Sequence, residues 1–153
     1  MKRLLFCFSF FLTASCFAQS LNIIPAPQKA EMRQGIFTIS SATKIVLVST
    51  DVQKSAAFIN DYLTKFYDIR LQFIVESKFT KENKDWQNAI VLNLDDSATS
   101  VIPGNYKLSV ETDKVLITAD NQEGVFYGTQ SLIQLLPIKK EKKNTYEGSI
   151  GPN

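Results

Sequence analysis

Few residues of this chain have side chains suited to chemistry, and the missing types narrow the field. Of the 153 residues none is histidine, and the two cysteines, Cys7 and Cys16, stand close to the N-terminus. A zinc ion would have to be held by carboxylates alone, against its preference for nitrogen and sulfur, so no metal-ligating set is assigned. Without histidine there is no Ser–His–Asp set, and no glycine-rich phosphate loop is present. Asp95-Asp96 is the one adjacent acidic pair, and two carboxylates together are the equipment of general acid–base work. The pair follows an apolar run and precedes Ser97, which is the composition of an ordinary turn. Asp120, just ahead of a helical pattern, reads as a capping or turn residue. No catalytic or cofactor-binding residue is assigned.

The aromatic residues raise a second kind of chemistry, stacking on sugar rings. Phe126 and Tyr127 are adjacent and so face different sides of a helix, while Phe58 and Tyr62 stand one turn apart. Packing in a core or an interface accounts for each of these. Trp86, in a polar stretch, is the most exposed candidate, but one aromatic makes no glycan platform. Gln130 and Gln134, one turn apart, are placed to face a following domain. The run 139–143 (KKEKK) contains Glu141 and reads as a solvated linker rather than a site for an anionic partner. A formal charge of +2 argues for neither nucleic acid nor an anionic membrane.

Two helical patterns and several strands must position these residues. Residues 121–137 (NQEGVFYGTQSLIQLLP) form the densest helical signal. Asn121 can cap it, Glu123 suits the positive end of the helix dipole, and Pro137 closes it. Val125, Gly128, Leu132 and Leu135 share one face, and a glycine there suggests close approach to another backbone. Residues 51–67 form the other helix, with Val52, Ala56, Ile59, Leu63 and Phe66 as its apolar stripe. Gln53, Lys54, Asn60, Asp61 and Lys65 lie away from that stripe. Strands are expected at 35–40, 44–48, 70–75 and 89–94, with a surface loop over 76–87 and a hairpin over 105–119 turning at Thr112-Asp113. Residues 20–29, with Pro25 and Pro27, should be extended and irregular. The order β-β-α-β-β-β-β-α predicts an α+β domain, a largely antiparallel sheet with two helices packed on one face.

The same residues carry a resemblance. The run Gly124-Val125-Phe126-Tyr127-Gly128-Thr129-Gln130-Ser131-Leu132, with Gln134-Leu135-Leu136-Pro137 after it, resembles the last helix of the N-terminal domain of family 20 glycoside hydrolases, the β-N-acetylhexosaminidases. Ile23-Ile24-Pro25-Ala26-Pro27 resembles the family's opening segment, and Gly35-Ile36-Phe37 continues it. The resemblance covers residues 23–137 and implies the same sheet-and-helix architecture. It also implies that a catalytic (β/α)₈ barrel should follow, as the partner of this domain and the part that meets N-acetylhexosamine-containing glycans. Such a barrel needs roughly 250 residues. Only residues 138–153 follow Pro137, and they do not resemble the start of the family's barrel. The family's Asp-Glu pair sits in that barrel, so Asp95-Asp96 is not its counterpart. The expectation is therefore a domain without activity of its own, with a free-standing exported glycan- or protein-binding module of the same fold as the alternative.

The N-terminus completes the plan. Met1-Lys2-Arg3 and the apolar run 4–12 read as a secretory signal, too short for a bilayer span. Cleavage after Ala18 fits a small-x-small site, while Cys16 as a lipidated residue is the alternative. The organisation expected is a signal peptide over 1–18, one domain over 19–137 and a linker over 138–153. The product would be periplasmic or extracellular. Cleavage after Ala18 removes both cysteines, so burial rather than disulfides would hold the domain.

Overall fold

The structure is a computed structural model and describes residues 21–76, 86–95 and 102–138. Residues 1–20, 77–85, 96–101 and 139–153, on which fall the expected signal peptide, most of the expected surface loop, Asp96-Ser97 and the basic run 139–143, lie outside the described residues. The elements are β1 (Lys44–Leu47), α1 (Gln53–Tyr67), β2 (Gln72–Val75), β3 (Ala89–Leu94), β4 (Tyr106–Val110), β5 (Lys114–Ala119) and α2 (Gln122–Leu135), with a 3₁₀ turn Thr50–Val52 leading into α1. The strands form a five-stranded sheet in the order β2-β1-β3-β5-β4. Both helices cover one face, which is the α+β arrangement expected.

The sense of the strands corrects one expectation. β1 pairs in parallel with β2 and with β3, and β3 in parallel with β5; β4–β5 alone is antiparallel. The cause lies in the connections. α1 carries the chain back along the sheet between β1 and β2, and a returned chain can only start a parallel strand. The β4–β5 hairpin then lays its second strand beside β3 and leaves β4 at the edge. The signal was present in the unbroken apolar runs of β1 and β3, which mark strands buried on both faces.

Residues 35–40 are not a strand. The Ser40 and Thr43 N–H groups are used locally, bonding Thr43 Oγ1 and the Ser40 carbonyl at 3.0 Å each, which makes a turn in place of a ladder. Phe37 and Ile39 still pack against the core.

The core lies between sheet and helices. Val52, Ala56, Ile59 and Leu63 are buried as the stripe requires, but Phe66 is 41% exposed. α1 ends at Asp68 in the left-handed conformation, and Tyr67 rather than Phe66 supplies the last core contact. Asn60 is also buried, contrary to its expected outward placement. Its Oδ1 accepts from the Leu71 N–H at 2.7 Å and its Nδ2 donates to the Leu71 carbonyl at 3.1 Å. One side-chain amide thus satisfies both backbone groups of the residue that leads into β2, which an apolar side chain could not do.

On α2, Val125, Gly128 and Leu132 face inward as expected, while Leu135 stays exposed and Leu136 packs against the core. Asn121 caps the helix through Oδ1, which accepts from the Gly124 N–H at 2.8 Å. The close backbone approach occurs at Gly124, not at Gly128. A Cβ at Gly124 would stand 2.4 Å from the Asn105 carbonyl oxygen, whereas at Gly128 it would meet the Ile117 and Tyr106 side chains.

Candidate functional site

With one face of each helix committed to the sheet, the other faces outward, and on α1 that face is aromatic. Phe58, Tyr62 and Phe66 stand at i, i+4 and i+8, one above another on successive turns. Phe58 meets Phe126 of α2 edge to face, with ring centroids 5.4 Å apart. Tyr62 lies 4.7 Å from Phe66 and 6.2 Å from Tyr67, and Phe126 lies 6.3 Å from Tyr127. The result is a ribbon of rings across the outer surface of both helices. Phe58 and Phe126 are each 37% exposed, so the ribbon is half sealed by its own contacts and half open to solvent.

The two helices run side by side in the same direction. The Phe58–Phe126 contact joins them in their N-terminal halves, and the Tyr67 hydroxyl donates to the Pro137 carbonyl where both helices end. That bond holds the chain as it leaves the domain. Ile138, the next residue, is 92% exposed. Partial burial, with the neighbouring Tyr62 hydroxyl as a smaller contribution, raises the Tyr67 pKa above its usual value. Near the start of α2, the Tyr127 hydroxyl donates to Glu123 Oε1 at 2.8 Å, and this bond, reinforced by the carboxylate charge, raises the Tyr127 pKa. The inner side of α2 is fixed by Ser131, whose hydroxyl is 2.5 Å from that of Tyr106 on β4.

The other residues singled out in the sequence take structural places. The Asp95 N–H donates to the Ala119 carbonyl at 2.8 Å and ties the ends of β3 and β5 together; Asp96 is outside the described residues. Trp86 is half-buried against Val46, Ala89 and Val91 on the face of the sheet away from the helices, so it is no exposed platform. Gln130 is half-buried, and Gln134 is engaged with the Ile24 backbone. Phe66 completes the aromatic ribbon. Its four-residue step from Tyr62 was the available signal, but the competing three-residue step from Leu63 assigned it to the core. The sheet's far face carries an open depression of about 1030 Å³ where Arg33 and Lys107 mix with Asp51, Asp95 and Glu111. No aromatic side chain lines it, and its charges are of both signs. Among the described residues no group of three or more His, Cys, Asp or Glu is placed to hold a metal ion, and no helix is long and apolar enough to cross a membrane.

The aromatic surface thus runs along the outer side of both helices toward the end at which the chain leaves the domain. Comparison with known proteins places the chain in a family. The family model of glycosyl hydrolase family 20, domain 2, matches residues 20–150. A β-hexosaminidase from Porphyromonas gingivalis is 28% identical over 126 residues, which are 82% of this chain and 15% of that protein. The solved family 20 exo-β-N-acetylglucosaminidase from Vibrio harveyi superposes with a TM-score of 0.60 at 19% identity, covering 80% of this chain and 17% of that one. The family 20 β-N-acetylhexosaminidase from Streptomyces coelicolor does so with a TM-score of 0.53 at 29% identity, covering 75% and 21%. The chain thus spans only 15% of the length of the curated relative it matches. It belongs to glycoside hydrolase family 20, as the N-terminal accessory domain that the family's domain 2 describes.

Proposed function

We propose that this chain is the non-catalytic domain of a β-N-acetylhexosaminidase and that the ring-lined outer face of α1 and α2 seats the catalytic barrel. The observation that carries this is that the ribbon runs along the helices to the end where the chain leaves. A domain joined at Pro137 would meet Phe66 and Tyr62 near that end first, and the ribbon continues from them to Phe58 and Phe126. Interdomain contacts of this kind typically bury roughly 600–1,500 Å², and rings that are already packed against one another lose little side-chain entropy on being covered. Hydrolysis of terminal N-acetylhexosamine residues then belongs to the barrel, and this domain contributes stability and placement. Export through residues 1–18 belongs to the same reading, on the basic start Met1-Lys2-Arg3 and the short apolar run after it.

The test is a titration of the full chain with the barrel portion of the Porphyromonas gingivalis relative. Phe58→Asp should abolish measurable binding while leaving the circular dichroism of the chain unchanged. A chain that binds no such barrel, or a Phe58→Asp variant that binds equally well, refutes the proposal. In the first case a free-standing binding module is the better account. Release of nitrophenol from an N-acetylglucosaminide by the purified chain alone would refute the non-catalytic assignment.

A further inference from the structure

The ribbon leaves one feature unexplained. Gln134, on the last turn of α2, makes two hydrogen bonds to a single residue 110 positions away: its Oε1 accepts from the Ile24 N–H at 2.8 Å and its Nε2 donates to the Ile24 carbonyl at 3.0 Å. A side-chain amide used this way imitates one rung of a β-ladder. It fixes the orientation of the backbone it grips. Ile23, just before the gripped residue, is buried, while the side chain of Ile24 itself is 83% exposed. Burial of Ile23 anchors the segment, and the amide sets which way its neighbour faces. An exposed isoleucine alone means nothing. Here it sits at the end of α2 that also presents Leu135 and Ile138, which are exposed as well. Tyr67 holds the exit peptide at the same end.

We infer that the N-terminal segment around Ile24 is part of the interdomain surface and that Gln134 is its positioning residue. The occupant is the domain that continues from Pro137, because the apolar residues are gathered where the chain leaves and this chain covers only 15% and 17% of the length of the relatives matched here. The inference rests on the proposed docking of a barrel. It adds that the beginning of the domain and its end meet the barrel together, through a segment that the helical ribbon does not include. The aromatic ribbon and the clasp would then form two separate footholds, one along the helices and one at their C-terminal ends.

The experiment compares Ile24→Asp and Gln134→Ala with Phe58→Asp, each made in the full chain and titrated with the Porphyromonas gingivalis barrel portion. Ile24 is exposed in the free domain, so Ile24→Asp should leave its melting unchanged. Covering a carboxylate in the interface should lower the affinity by about tenfold or more. Gln134→Ala should weaken binding less, and it should remove the slow hydrogen exchange of the Ile24 amide in the free chain. Binding of Ile24→Asp equal to that of the unaltered chain, with Phe58→Asp inactive, overturns this inference and leaves the docking proposal standing. An unaltered chain that does not bind overturns both. Self-association abolished by Ile24→Asp, with barrel binding unaffected, would reassign the surface to a second copy of the chain and likewise overturn the inference.

Discussion

Gly124→Ala should destabilise the domain although alanine is the better helix former. Within α2 the substitution gains about 1 kcal/mol of helix propensity. Against this stands the space available. The added Cβ would lie 2.4 Å from the Asn105 carbonyl oxygen, 3.3 Å from its carbon and 2.8 Å from the Ala119 Cβ. None of these atoms is the end of a flexible side chain. One is backbone just before β4, and another is rooted in the buried end of β5. Relief requires the helix to lift from the hairpin, and overpacking of this kind costs about 1–3 kcal/mol. With backbone as the obstacle the upper end applies, so the net loss should be about 2 kcal/mol. For a domain of this size that is a fall of about 6–8 °C in Tm. Gly128→Ala should cost less, because its added Cβ meets the Ile117 Cγ2 at 2.5 Å and the Tyr106 ring at 3.2 Å, which are side-chain atoms. Thermal melts of the two variants beside the parent give the ranking. A Gly124→Ala protein as stable as the parent would mean that α2 is not held against Asn105 as described, and the placement of Phe126 and Tyr127 would fall with it.

Asn60→Ala should lose about 2–4 kcal/mol in chemical denaturation, since both backbone groups of buried Leu71 lose their partner; a loss under about 0.5 kcal/mol would show that solvent reaches them. Leu63→Ala should cost about 2–5 kcal/mol with an unchanged denaturant slope, as expected for a cavity in the core between α1 and the sheet. Tyr127 should ionise above its ordinary range, and Glu123→Gln should bring it down, read by ultraviolet titration of the phenolate. Because the folded-state pKa of Tyr127 is raised, the stability linked to it is present below about pH 10 and lost as pH rises beyond the folded value. A Tyr127 titration unmoved by Glu123→Gln would contradict the bond.

The helices and the hairpin were legible in the sequence because each is encoded locally. Asn121 marks the start of α2 by its capping oxygen, and the alternation of Val115, Ile117 and Ala119 marks β5. The sense of the strands was not legible, because pairing depends on where α1 returns the chain, which no local period records. Asn60 was misplaced for a related reason. A polar residue reads as solvent-facing until its partner is known, and Leu71 becomes its partner only when β2 folds against β1. Phe66 stood at the junction of two periods, three from Leu63 and four from Tyr62, and the left-handed turn at Asp68 decided between them. The proposed docking surface was legible only in pieces. Phe58 and Tyr62 were visible as neighbours, but the contact with Phe126 joins two helices that are far apart in the chain. Gln134 was expected to face a following domain, and instead it grips Ile24, which itself faces out.

Hydroxyl-radical footprinting of the full chain, with and without the Porphyromonas gingivalis barrel portion, tests docking through the helical face most directly, because it reads the solvent exposure of individual side chains. The account predicts that Phe58, Phe66, Phe126 and Ile24 become protected, while Lys107 and Glu111 on the far face of the sheet stay as reactive as in the free chain. Protection confined to that far face, or none on the rings of α1 and α2, would contradict it.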